Sequence, residues 1–172
     1  MYKVLTIGGK DYLLEYNVEA SLYKDGVDRL INFLSGAFGA SGEAELTKGL
    51  SDEDKTKVRI ELMQNLRSEV INLPDTALTL FYAGLLEYHG LDGDGSVLHK
   101  VDAKKLVKQL FAEQPEGGIT DFASLLELCM NQMGEDGFFK RTGLEKILAQ
   151  SAAEKPNRAT RRANTRQSGT KS

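Results

Sequence analysis

Asp75-Thr76-Ala77-Leu78-Thr79-Leu80-Phe81-Tyr82-Ala83-Gly84-Leu85-Leu86-Glu87-Tyr88-His89 reads as a helix that is apolar on nearly every side. A helix of that kind is buried all round. It is either the centre of the domain or part of an interface. Pro74 suits its first turn and Gly90 its stop.

The chain opens on a β-hairpin. Lys3-Val4-Leu5-Thr6-Ile7 and Asp11-Tyr12-Leu13-Leu14-Glu15-Tyr16 flank the turn Gly8-Gly9-Lys10. Alternation puts Leu5 and Ile7 on one face, and Tyr12, Leu14 and Tyr16 on one face of the second strand. A lone hairpin is marginal in water, so this one must pack on helices or on another copy. A helix follows over Val18–Phe38, with Tyr23, Val27, Leu30, Ile31 and Leu34 in one stripe. Gly26 weakens it, Gly36, Gly39 and Gly42 end it, and 39–50 reads as a loop. Ser51 and Asp54 form a capping box for a helix to about Asn72, with Leu62, Met63, Leu66 and Val70 facing inward. Beyond Gly90, three helices are expected. Asp102–Gln114 carries Leu106, Val107, Leu110 and Phe111. Thr120–Met133 stops at Gly134. Thr142–Ala152 has a capping box from Thr142 to Glu145, with Leu144, Ile147 and Leu148 inside. The expected fold is therefore mostly α (α+β), a hairpin followed by a bundle of about five or six helices in residues 1–152. Residues 153–172 read as a disordered tail, because Glu154–Ser172 has no Leu, Ile, Val, Phe, Tyr or Met to bury.

Charge divides the chain the same way. The net charge is −3, yet the tail holds six basic groups and one acid, and residues 1–152 hold 16 basic and 24 acidic groups. The tail either solubilises an acidic domain or, through Arg158, Arg161, Arg162 and Arg166, contacts an anionic partner or its own acidic body. Cys129 is the one cysteine, and its apolar setting marks a buried, inert thiol. No stretch approaches the roughly 18 apolar residues of a membrane span, and no leader pattern opens the chain. A cytoplasmic protein that does not enter membranes is expected.

No catalytic constellation emerges. His89 and His99 do not match a zinc spacing, and Asp92-Gly93-Asp94-Gly95-Ser96 fails the calcium-loop pattern in either register and reads as a polar turn. Gly8-Gly9-Lys10 lacks the spaced glycines of a phosphate loop. No Ser-His-acid order stands out. The expectation is a non-enzymatic protein without cofactor or metal.

Three stretches carry a resemblance. They are Tyr2–Tyr12 with Leu14-Glu15-Tyr16 and Glu19–Tyr23, then Leu80–Gly90, then Gln132-Met133-Gly134-Glu135-Asp136-Gly137-Phe138-Phe139-Lys140. Together they resemble the tail assembly chaperones of long-tailed phages of Gram-positive bacteria, over residues 1 to about 150. The resemblance implies a host-cytoplasmic chaperone that binds and solubilises the helical tape measure protein and recruits tail tube subunits. It also implies absence from the virion and a longer form made by ribosomal frameshifting. Met130, Met133, Phe138, Phe139, Phe81 and Tyr82 are the candidate partner contacts, methionine packing tolerantly and adjacent phenylalanines being unable to point inward together. The alternatives are a small nucleic-acid-binding regulator using the basic tail and a structural connector of the particle. The acidic body and the lack of tail aromatics count against nucleic acid. Self-association is expected through the open strand edges.

Overall fold

A computed structural model of the chain describes residues 1–41, 52–113 and 118–146, of which 36–41, 52–66, 68 and 69 as backbone only. Strands β1 (Lys3–Ile7) and β2 (Lys10–Leu14) precede helices α1 (Val18–Leu22), α2 (Lys24–Ser41), α3 (Asp52–His89), α4 (Lys100–Glu113), α5 (Phe122–Glu135) and α6 (Phe138–Arg141). The chain is mostly helical, with an N-terminal two-stranded antiparallel hairpin. It divides into two compact units, Met1–Phe138 and Phe139–Ser172. The boundary expected at 152/153 and the basic tail lie outside the described residues.

The apolar run 75–89 is the C-terminal part of α3, and its helix does not begin at Pro74. Pro74 sits inside a single helix of 38 residues. Proline removes one backbone hydrogen bond and crowds a carbonyl one turn back, at a cost of about 3 kcal/mol. Burial of Leu80, Phe81 and Leu85 just beyond it contributes about 1.5–3 kcal/mol each and exceeds that cost. Two helices also clamp the residue after the proline: Asp75 meets Lys100 Nζ of α4 and Arg29 Nη2 of α2, each at 2.7 Å. Val70, expected inward, is exposed. The side chains of Leu62, Met63 and Leu66, and the Ser51–Asp54 box, lie outside what is described.

The hairpin docks on this spine. Its turn is two residues, Gly8-Gly9, at φ of +62° and +73°, so Lys10 pairs with Ile7 as the first residue of β2. Both turn residues need positive φ, which fits the mirror-image turn that matches strand twist. Leu5, Ile7, Leu14 and Tyr16 are buried, as the alternation predicts, while Tyr12 is half-buried. Strand pairing ends at Leu14 because the next residues bond to the helix. Glu15 N–H donates to the Gly84 carbonyl at 2.9 Å. The Tyr16 hydroxyl donates to the Leu80 carbonyl at 2.9 Å. A Cβ on Gly84 would lie 2.5 Å from Leu14 Cδ1 and 2.9 Å from Tyr16 Cζ, so only glycine admits so close an approach.

The helix expected over 18–38 is two. Tyr23 is extended, with ψ of 91°, and separates α1 from α2. Its ring packs edge-on against Tyr82, 5.4 Å between centroids. Gly26, read as a weak point, is where α2 comes against α3: a Cβ there would be 3.4 Å from Ala83 Cβ. Leu30 and Leu34 are buried as expected, whereas Ile31 is exposed. The helix passes Gly36 and Gly39 and runs to Ser41.

Helix α5, expected from Thr120, begins at Phe122 and is capped by Asp121 in a box with Ser124. It passes Gly134 and ends at Glu135. Asp136 then caps the end, its carboxylate accepting from Tyr16 N–H at 2.8 Å and Gln132 Nε2 at 2.9 Å. In α4, Val107 and Leu110 are buried while Leu106 and Phe111 are half-buried. In the second unit, the Thr142 hydroxyl donates to the Phe139 carbonyl and Gly143 turns the chain at φ +76°. Helix therefore resumes at Leu144, not at Thr142. Leu144 is buried; Ile147 and Leu148 lie outside the described residues.

Gly84→Ala tests the docking. Alanine improves helix propensity by up to about 1 kcal/mol. Overpacking against the buried Tyr16 ring costs about 1–3 kcal/mol. Thermal unfolding should therefore show a net loss of stability, and a gain would contradict this seating of the hairpin.

Candidate protein-interaction surface

The residues singled out for partner contact divide by burial. Phe81, Tyr82, Met133 and Phe138 are enclosed in the first unit. Phe138 meets Tyr16 edge-on at 5.8 Å, and the Tyr82 hydroxyl donates to the Leu98 carbonyl at 2.9 Å. These four are packing residues in this conformation, because each lies where secondary-structure elements converge. Met130 and Phe139 are half-buried. Arg158, Arg161, Arg162 and Arg166 lie outside the described residues. Cys129 is fully buried, and burial pushes its thiol up to about 12.

The exposed apolar surface lies elsewhere. Val70 and Ile71 are 64% and 66% exposed on α3. With Arg67 and Pro74, also exposed, they fall at i, i+3, i+4 and i+7. That spacing puts all four on one helical face. A helix that is buried from Thr76 to Leu85, except for the half-buried Leu78, thus presents Val70 and Ile71 to solvent one or two turns earlier. The signal in the sequence is Val70-Ile71 itself. Neighbouring residues point about 100° apart on a helix, so a one-sided stripe does not bury both easily. Leu91, Leu98 and Val101, between α3 and the start of α4, are also exposed.

Two electrostatic clusters position these elements. Asp75 bridges α2 and α4 as described, and Asp25 pairs loosely with Arg29 at 3.7 Å. The second cluster centres on His89, which is buried at the end of α3. Leu13 N–H of β2 donates to His89 Nε2 at 2.9 Å. An N–H can only donate, so Nε2 is the acceptor and the ring proton sits on Nδ1, facing Asp94 Oδ2 at 3.0 Å. Ser96 Oγ is 3.3 Å from the same Nδ1. The fold thus assembles a Ser-His-Asp set that spacing did not single out. It does not form a nucleophile relay, which needs the serine and the acid on opposite ring nitrogens. Here both share one and the backbone holds the other, so the set latches the hairpin to the helix end. Asp94 also accepts from Ser96 N–H at 2.8 Å, the expected polar turn.

Among the described residues, no group of three His, Cys, Asp or Glu side chains is placed to hold a metal ion. None of their helices is long and apolar enough to cross a membrane.

The two aspartates give the protein an acid limit. The Lys100 ammonium, with Arg29 beside it, holds the Asp75 carboxyl below its ordinary 3.8. The Ser96 hydroxyl and N–H, with His89, hold Asp94 far below it. A folded value under the unfolded one adds stability that is fully present above the unfolded value and lost as pH falls through the folded one. Melting temperature should therefore stay level down to about pH 5 and drop below about pH 4. Asp75→Asn should cost about 1 kcal/mol or less at neutral pH, the carboxylate being partly exposed, and should shrink the acid drop. An unchanged acid limb in that variant would show that these ion pairs do not set it.

No family model matches the chain, and no curated protein or solved structure matches it either.

Proposed function

We propose that the chain is a tail assembly chaperone of a long-tailed phage. It binds and solubilises the helical tape measure protein in the host cytoplasm, recruits tail tube subunits, and leaves before the particle is complete. It works without catalysis, by covering apolar surface on another protein. The resemblance of residues 1 to about 150 to such chaperones supports this reading.

The structural observation that carries it is the exposed stripe Arg67, Val70, Ile71 and Pro74 on α3. Its period is that of a helix packing on a helix, and a tape measure protein offers long apolar helical seams. The stripe belongs to a helix whose C-terminal part is anchored in the core, so it is held in place rather than formed on binding. That reduces the entropy lost when a partner docks. The acidic body supplies charge repulsion that keeps a chaperone–client complex dispersed.

Co-expression with the adjacent long helical gene product should raise that product's soluble fraction, and the two should co-purify. Val70→Glu combined with Ile71→Glu should abolish both effects. Each site is exposed, so stability should change by no more than about 0.5 kcal/mol per substitution. Retained solubilisation in a folded double variant would remove the stripe as the client site. No solubilisation by the parent chain would remove the chaperone reading. Mass spectrometry of purified particles separates this function from a connector, which would be present there.

A further inference from the structure

We propose that β1 pairs antiparallel with β1 of a second copy across a two-fold axis at Val4. Two hairpins then form one four-stranded sheet. This inference does not depend on the client-binding role.

It starts from the hydrogen-bond pattern of the hairpin. In an antiparallel pair, residues alternate between those bonded across the ladder and those whose N–H and C=O point outward. Ile7 and Lys10 flank the two-residue turn and are bonded across it. Leu5/Tyr12 and Lys3/Leu14 follow in the same state. Val4 and Thr6 of β1, and Asp11 and Leu13 of β2, therefore face outward, and the pattern extends to Tyr2 and Glu15.

The two edges have different fates. On β2, Leu13 N–H meets His89 Nε2 and Glu15 N–H meets the Gly84 carbonyl, so α3 covers that edge from Leu13 onward. On β1, the outward N–H groups of Tyr2, Val4 and Thr6 meet no partner among the described residues. Tyr2 and Val4 are 50% and 48% exposed, and Thr6 is exposed. The edge carries no proline and no bulge within its described register. Regular edges of that kind take up another strand unless something blocks them.

Self-complementarity selects a second copy as the occupant. With Val4 on the axis, Val4 faces Val4 of the second copy and Tyr2 faces Thr6 of the second copy. All three outward residues on each side are used, giving about six hydrogen bonds. The facing pairs join β-branched and aromatic side chains, which favour such positions. Lys3 falls opposite Leu5 of the second copy. Sliding the pairing by two residues in one direction sets Lys3 against Lys3, and in the other it loses the Tyr2 contacts. One register is therefore preferred. A helical client presents no strand, so it does not compete for this edge.

The interface is short and joins two bodies that each carry net negative charge over residues 1–152. A strand pair of this length buries less than the roughly 1,200 Å² of a standard stable interface. The dimer should be concentration-dependent and strengthened by salt, which screens the repulsion.

Analytical ultracentrifugation of the full chain over a concentration series should show a monomer–dimer equilibrium that shifts toward dimer with added salt. Val4→Pro removes an outward N–H and leaves the β1–β2 ladder bonds intact. It should weaken dimerisation at least tenfold. Val4→Lys keeps that N–H but sets like charges face to face, and should weaken it too, less so at high salt. Val4→Cys should cross-link with itself under mild oxidation, since bonded cross-strand pairs lie about 5.5 Å apart at Cα, within disulfide reach. Thr6→Cys should not, because it faces Tyr2, and the native Cys129 is buried and silent. A parent chain that stays monomeric throughout would overturn the proposal. So would equal cross-linking of the two cysteine variants, or undiminished dimerisation in both Val4→Pro and Val4→Lys variants.

Discussion

The first unit depends on one close approach, of an extended chain segment to the backbone of a helix at Gly84. A helix has few places where its carbonyls can be reached from the side, because side chains stand around them. Where a glycine interrupts that fence, Glu15 N–H reaches the Gly84 carbonyl, and the Leu14 and Tyr16 side chains close over the gap. The Tyr16 hydroxyl reaches a second helix carbonyl one turn earlier, at Leu80. One sheet edge is thereby covered, and the most apolar part of α3 is roofed on that side. Helices α2, α4 and α5 enclose the rest. His89 and Asp136 then pin the hairpin at separate points, through Leu13 N–H and Tyr16 N–H.

Much of this was legible in sequence, for reasons that differ by element. The hairpin announced itself through Gly8-Gly9 between alternating strands, and the core helix through nearly continuous apolarity from Ala77 to Leu86. The boundaries were less legible because they rest on contacts distant in sequence. Pro74 looked like a beginning, yet the packing after it and the ion pairs at Asp75 carry the helix through. Tyr23 looked like the start of a stripe, yet its packing against Tyr82 accompanies a break in the backbone. Gly134 looked like a stop, whereas Asp136 closes α5 by accepting a hydrogen bond from Tyr16, 120 residues away.

The candidate surface was less legible than the fold. Apolar type alone does not separate a residue that packs from one that binds. Phe81, Met133 and Phe138 were credible as contacts only until their neighbours were known. Val70 falls at helical spacing with Leu62, Met63 and Leu66 and so reads as inward. Its exposure arises where α3 extends past the region that encloses Thr76–Leu85, and no local rule marks that limit. The Ser-His-Asp set at residues 89–96 shows the converse. Three residues with catalytic associations meet, and the direction of one backbone N–H decides that they serve as a clasp.

The long sequence separations have a consequence in time. The hairpin is made first, but its fastenings arrive late: Leu80 follows Tyr16 by 64 residues, and Asp136 follows it by 120. At about 5–20 residues per second of synthesis, those delays are on the order of 3–13 seconds for Leu80 and 6–24 seconds for Asp136. An isolated hairpin is only marginally stable meanwhile, with both edges uncovered. Nascent chains on neighbouring ribosomes of one message would then hold these edges close together. The order of synthesis thus favours early pairing between sister chains, before α3 has closed one edge and left the other.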